Sequence, residues 1–192
     1  MTPRFRRSLA ALCLVLSAAL AGTAAAQVRS DFARTFGDEL TKGIQHGDGE
    51  AVSRALIRGY NPSKRYARGM TPLMLAALEG QPEIAEMLLG YGANIRTRDK
   101  LGNSALISAA AGGHFEAVEV LLDNGASIDT RNRRGQTALI STALNGHTFT
   151  VEVLLGRGAD PTLTDHTGRT ALEFARQNRH RAIVKMLERL GS

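Results

Sequence analysis

The chain has 192 residues, 43% of them hydrophobic and 22% charged, which is typical of one globular domain and not of a disordered chain. Aromatic residues make up 5% and Trp is absent, so the core has to be aliphatic. The single cysteine, Cys13, lies inside the one long apolar run near the start, which excludes thiol and disulfide chemistry from the rest of the chain.

Residues 1–26 have the three parts of a secretory signal peptide. Three arginines precede an apolar stretch of thirteen residues, Leu9 to Ala21, which is shorter than the about 20 residues that span a bilayer. Small residues follow, and we expect cleavage after Ala26. The alternative is an uncleaved membrane anchor.

Cleavage would leave 21 of the 24 basic residues against 18 acids, so the formal charge would fall from +6 to +3. The style of the signal indicates a bacterial envelope, and we expect a periplasmic protein without stable membrane insertion. Because little DNA or RNA is present there, we expect no nucleic-acid partner despite the excess of basic residues.

The rest of the chain repeats with a period of 33 residues. Tetrads beginning with a hydroxyl residue follow this step at Thr71, Ser104, Thr137 and Thr170. Three glycine columns keep the same register, which predicts an array of equivalent units. The columns are Gly69, Gly102, Gly135 and Gly168; Gly47, Gly80, Gly113 and Gly146; and Gly59, Gly92, Gly125 and Gly158.

Each unit predicts two short helices and a polar hairpin. The hydroxyl residue can cap the first, Ala-rich helix by accepting from free backbone N–H groups, and Pro72 suits the first helical position. Gly80 ends that helix with a positive φ. The second helix, as in 83–89, has apolar residues at i, i+3 and i+4, and a hairpin of about ten residues follows it.

This pattern resembles the ankyrin repeat, whose consensus carries T-P-L-H, an A-A pair, G-H, a leucine-rich second helix and G-A-D. The resemblance implies an all-α solenoid of stacked helix-turn-helix units with β-hairpin fingers. Residues 27–35 would form a lead-in, and the repeat domain would cover 36–192. Its units would be a degenerate N-terminal cap (36–68), three full repeats (69–101, 102–134 and 135–167) and a C-terminal cap (168–192).

The chain departs from the consensus in two ways. The histidine of T-P-L-H is replaced by Met74, Ile107, Ile140 and Glu173, so we expect apolar packing where the family has a hydrogen-bonded network. The last unit carries Arg176 in place of Ala and Arg179 in place of Gly, which suits a terminal repeat that exposes a polar face.

We name the windows 61–69, 94–102, 127–135 and 160–168 fingers 1 to 4. Fingers 1 to 3 hold nine basic residues against two acids, whereas finger 4 has no Lys or Arg. Neighbouring fingers would lie about one Debye length apart, about 8–10 Å, so their fields would add. The alternative is a merely solvated charged face. The nine bases, the basic finger surface, are Lys64, Arg65, Arg68, Arg96, Arg98, Lys100, Arg131, Arg133 and Arg134.

The resemblance implies a monomeric protein-protein interaction module that is not an enzyme and needs no cofactor. Partners would bind a concave face, and the basic fingers favour a partner with an acidic surface. We predict contacts from Arg65, Arg68, Met70, Arg98, Lys100, Asn103, Arg131, Arg133, Arg134, Gln136 and Arg169.

Three roles stay open at this stage. The module could stabilise or assist an exported enzyme, including one that handles peroxide, or it could inhibit an incoming toxin as an immunity protein does. The third is a nonspecific basic protein that binds anionic lipid or cell-wall polymer.

Two further columns have a structural interpretation. His114, His147 and His180 would lie too far apart to share one metal ion, so we assign them to helix starts. Asp99, Asn132 and Asp165 share one finger position, where we expect their side chains to bond to the hairpin backbone.

Overall fold

The computed structural model describes residues 38–190, and this part of the chain holds ten α-helices in five antiparallel pairs. The predicted signal peptide, lead-in and cleavage point lie outside the described residues. The pairs are α1 (Glu39–His46) with α2 (Gly49–Ile57), α3 (Pro72–Leu78) with α4 (Pro82–Gly90), α5 (Ala105–Gly112) with α6 (Phe115–Asp123), α7 (Ala138–Asn145) with α8 (Thr148–Gly156), and α9 (Ala171–Gln177) with α10 (Arg181–Glu188).

The predicted hydroxyl caps are confirmed at the start of the first helix in the last four pairs. The side-chain oxygens of Thr71, Ser104, Thr137 and Thr170 accept from the backbone N–H three residues later, at 3.2–3.4 Å. Such bonds satisfy an otherwise unpaired N–H of the first turn, so the repeated hydroxyl fixes where each pair begins.

The pairs stack into two layers. First helices pack on first helices (α3 on α5, α5 on α7, α7 on α9), and second helices pack on second helices. Apolar packing in place of the family's histidine is confirmed at three of the four positions, because Met74, Ile107 and Ile140 are each 1–3% exposed. The fourth position differs: Glu173 is exposed, and its carboxylate accepts from Thr170 N at the start of α9. No helix within residues 38–190 has the length and hydropathy needed to span a bilayer.

Histidines join neighbouring pairs through the glycines that follow the first helices. Nε2 of His114, His147 and His180 lies 3.0–3.2 Å from the carbonyl oxygen of Leu78, Ala111 and Leu144 in the preceding pair. The predicted helix-start position is confirmed, but these side chains do not cap their own helices. They tie the second helix of one unit to the first helix of the unit before it.

The predicted β-hairpin form of the fingers is not confirmed, because no β-strand is present within residues 38–190. Each finger is instead a tight turn closed by isolated bonds, as where Asp99 N donates to Asn103 O at 3.0 Å. The Asp99 carboxylate also accepts from the backbone N–H groups of Leu101 and Asn103. A β-ladder would need N–H groups of this kind as donors between its strands. Side-chain bonds to the turn thus take the place of a ladder.

The last pair carries the polar surface expected of a terminal unit. Arg176 is exposed and pairs with Glu188 at 2.7 Å. Arg179 has a φ of 62°, the left-handed conformation that glycine adopts at the equivalent positions of earlier units. A non-glycine residue there costs about 1 kcal/mol, so the array tolerates local strain at its end.

Candidate partner-binding surface

Neighbouring fingers are joined by single backbone hydrogen bonds. Lys100 N donates to Arg68 O at 2.7 Å, and Arg133 N donates to Leu101 O at 3.0 Å. His166 N donates likewise to a carbonyl of finger 3 at 2.9 Å. The four fingers therefore present one continuous row of turns and not four independent loops.

Arginine side chains reinforce this row at one register position. Arg65 Nη1 donates to the carbonyl oxygen of Arg98 at 2.9 Å, and Arg98 Nη1 donates to that of Arg131 at 2.8 Å. All three side chains remain exposed. Arg65 and Arg98 thus hold neighbouring fingers together and contribute positive charge to the same surface.

The acids of the fingers are turned toward the backbone, as predicted for their column. Asp99 accepts from two backbone N–H groups at 2.7–2.8 Å, and Asp165 does the same at 2.9–3.0 Å. Burial raises the pKa of Asp165, but hydrogen bonds from Thr167 and from the N–H of Arg169 outweigh it and hold that pKa below its ordinary value. These carboxylates serve the turns, and the outer surface of fingers 1 to 3 stays basic.

Most predicted contact residues lie where a partner could reach them. One prediction is wrong: Met70 is only 6% exposed and belongs to the core. Its carbonyl accepts from Tyr66 N at 2.8 Å, which closes finger 1. The predicted contact residues that are exposed are Arg65, Arg68, Arg98, Lys100, Arg131, Arg133 and Arg134.

Asn103 and Gln136 are half-buried and engaged within the row. Asn132 Nδ2 donates to Asn103 Oδ1 at 3.0 Å and lies 3.4 Å from Gln136 Oε1. Hydrogen bonds between these side-chain amides therefore link finger 2 to finger 3 where the fingers meet the helices. The structure thus gives both residues a supporting role beside any contact with a partner.

Arg169 is half-buried and fixed in position. Its Nε donates to Thr167 Oγ1 at 2.8 Å, and its Nη1 donates to Gln177 Oε1 at 3.0 Å. Its guanidinium lies 4.2 Å from the ring centroid of Phe174, and Nη2 is 3.7 Å from Asp165 Oδ2. A guanidinium held this way loses little side-chain freedom when it binds a ligand.

A groove of about 590 Å³ opens between fingers 3 and 4 and helix α9. Sequence reasoning missed this groove. A signal was present, since Phe174 is the one aromatic in a column that otherwise holds Leu75, Ser108 and Ser141. Residues that line it include Arg133, Arg134, His166, Arg169, Phe174 and Gln177.

Leu101 is a second feature that sequence reasoning missed. It lies at the tip of finger 2 with 56% of its surface exposed. The same register position holds Arg68 in finger 1 and Arg134 in finger 3. An apolar side chain is therefore displayed in the middle of a basic row.

Comparison with known protein families agrees with this architecture. The model of a family described as ankyrin repeats (3 copies) matches residues 40–132 and 124–191. The two matches together run through most of the described chain. No curated protein matches the sequence.

Proposed function

The chain belongs to the ankyrin repeat family, whose members are protein-protein interaction modules, and on that premise we propose that it binds an acidic surface of a partner protein in the periplasm. The basic finger surface would make the contact. Binding by a row of fingers needs no reacting group, so the protein would act as an adaptor and not as an enzyme.

Charge supports an acidic partner. All nine bases of fingers 1 to 3 are exposed, whereas Asp99 is engaged by its own turn. The other acid, Asp129, accepts from the backbone N–H of Asp160 at 3.2 Å. A surface of one sign speeds the encounter with a partner of the opposite sign and selects against like-charged proteins.

Leu101 is the observation that favours a protein over an anionic polymer. Protein interfaces combine an apolar centre with a polar rim, and their binding energy is concentrated at a few central side chains. An exposed leucine flanked by arginine positions fits that arrangement. A polyanion would gain nothing from the apolar side chain.

Affinity capture tests the proposal. The full chain, expressed with its own leader and a C-terminal tag, would be purified from bacterial fractions and used to capture partners from an envelope extract. N-terminal sequencing of protein from the periplasmic fraction should begin at Gln27. A start at Met1, or recovery with the membrane, would contradict the proposed location.

Charge reversal identifies the surface used. Arg68→Glu, Arg96→Glu and Lys100→Glu combined should lower partner recovery at least about tenfold, the effect of losing a few charge-assisted contacts. The matched control reverses three exposed helical bases, Lys42, Arg181 and Lys185, and should retain the partner. Equal recovery by the two triple variants would refute the role of the fingers.

The same bases also support a second candidate, nonspecific binding to anionic lipid or cell-wall polymer. Salt separates the two, because binding by charge alone weakens steeply as the Debye length shrinks. A complex with an apolar centre should survive about 0.5 M salt and weaken when Leu101 is changed to Ser. The identity of a captured protein would then distinguish an assisted exported enzyme from an inhibited toxin.

A further inference from the structure

The groove between fingers 3 and 4 differs from the equivalent places between earlier fingers. Helix α9 and the residue two before it bring an arginine, an aromatic ring and a glutamine into one corner. The two preceding junctions hold short or uncharged residues there. At those positions Arg169, Phe174 and Gln177 replace Gln136, Ser141 and Leu144, which in turn replace Asn103, Ser108 and Ala111.

The groove carries a strong excess of positive charge. Arg133 and Arg134 line one side from finger 3, and Arg169 lies at the other side. Asp165 is the acid among the lining residues, and its side chain is only 4% exposed because it accepts from the turn. The ligand-facing groups are therefore mainly guanidinium and amide donors.

The groove is also preorganised, because hydrogen bonds within the protein hold its side chains in place without a ligand. A backbone bond from His166 N to Arg134 O, 2.9 Å long, joins its two sides. The bonds to Thr167 and Gln177 hold Arg169 over Phe174, which is 3% exposed. The volume of the groove lies within the range of ligand clefts, roughly 300–1,000 Å³, and such clefts combine apolar walls with a few fixed polar groups.

We propose that this groove binds the carboxylates of an acidic peptide segment, with Arg133, Arg134 and Arg169 as the donors. Guanidinium groups pair with carboxylates in a bidentate way. Three of them in one open groove exceed the need of a single carboxylate, so a run of Asp or Glu side chains fits better than a small acid. The inference rests on the proposed function in that the segment would belong to the partner protein.

Peptide binding tests the groove directly. A fluorescein-labelled polyglutamate peptide and its polyglutamine counterpart would be titrated with the full-length protein at about 0.15 M salt, with anisotropy as the readout. The protein should bind polyglutamate and not polyglutamine. Arg133→Gln with Arg134→Gln should weaken polyglutamate binding at least about tenfold, since charged hydrogen bonds are the strong ones.

The matched control removes two exposed bases of α10, Arg181→Gln with Lys185→Gln, and should change the affinity less than about twofold because distant charges are screened. Circular dichroism checks that each variant folds. Equal weakening by both double variants would overturn the proposed site, as would free glutarate displacing the peptide at matched carboxylate concentration. If the peptide does not bind this groove, the proposed role of the basic finger surface is unaffected, because the triple variant that tests that surface changes no residue of the groove.

Discussion

The first junction between successive helix pairs differs from the three later junctions in the side chain that packs against the glycine of the preceding pair. At the later junctions a histidine lies against a glycine of the preceding unit and bonds to a carbonyl there, as His147 does with Ala111 O at 3.1 Å. At the first junction the register position holds Gln81, which faces Gly47. Its side-chain oxygen is buried and has no hydrogen-bond partner among residues 38–190.

A separate cluster supports the first pair. The Asp38 carboxylate caps α1 by accepting from Thr41 N at 3.0 Å, accepts from Tyr66 Oη at 2.6 Å and pairs with Lys64 at 3.4 Å. It thus connects the start of the first pair to finger 1. Interface strength in a repeat array is set locally, between neighbours. Because the first junction lacks the histidine bond of the later ones, we expect the first pair to open before the others despite this cluster.

The largest effect should come from filling the glycine at a histidine junction. A Cβ at Gly113 would lie 2.5 Å from His147 Nδ1, and the residue has a φ of 78°. Gly113→Ala should lower the free energy of unfolding by about 3 kcal/mol, from backbone strain plus displacement of the imidazole. Urea denaturation followed by circular dichroism measures it.

Gly125→Ala separates the two contributions. Gly125 also has a positive φ, 83°, but a Cβ there would meet no atom of the described residues within 4 Å. This variant should lose only the strain, about 1 kcal/mol. If both variants lose the same stability, the histidine contact does not matter and the comparison between junctions is unfounded.

Replacing a histidine tests whether the later junctions depend on its bond. His147→Gln reproduces the side chain of the first junction and should cost about 1–2 kcal/mol, the price of a lost hydrogen bond and an unpaired carbonyl. Hydrogen exchange should show faster opening at the junction of α5 with α8. Unchanged exchange there would mean that glutamine serves equally well.

The Asp38 cluster should give the first pair a specific pH dependence. Burial raises the pKa of Asp38, but hydrogen bonds from Tyr66, Thr41 and Lys64 hold it below its ordinary value of 3.8. Its contribution is therefore complete above that value and is lost as pH falls through the lower folded-state pKa. Asp38→Asn should cost about 1 kcal/mol at pH 7.

The acid titration of the variant supplies the check. The gap between the unfolding midpoints of wild type and Asp38→Asn should close as pH drops from 5 to below 3, because the wild-type carboxylate is then protonated too. Other carboxylates titrate in both proteins and cancel. A gap that stays constant with pH would argue against a charged role for Asp38.

The smallest effect should be a gain. Gln81→His places at the first junction the side chain that the later junctions use, and removes a buried oxygen that has no partner in the described part of the chain. We expect about 0.5–1 kcal/mol of added stability, close to the value of one net hydrogen bond. A loss of stability would show that the first junction has a geometry of its own.

Several features of the fold follow from the type of residue that recurs at one position of the 33-residue repeat. The hydroxyl caps act within a few residues of their own position, and a glycine such as Gly146 adopts its φ of 84° for local reasons. Burial of Met70 does not follow from the finger residues that precede it in sequence, because it depends on packing in the folded array.

Sequence alone predicted the paired helices of the repeats, the hydroxyl residues that cap them and the sign of the charge on fingers 1 to 3, because capping, glycine conformation and net charge are local or additive properties. Tertiary structure decided what each polar side chain does with its hydrogen bonds. Only stacking brings Arg98 to the carbonyl of Arg131, or Arg169 over Phe174 beside finger 3. Such contacts depend on distances between units that are 33 residues apart in the chain, and a one-dimensional pattern does not contain those distances.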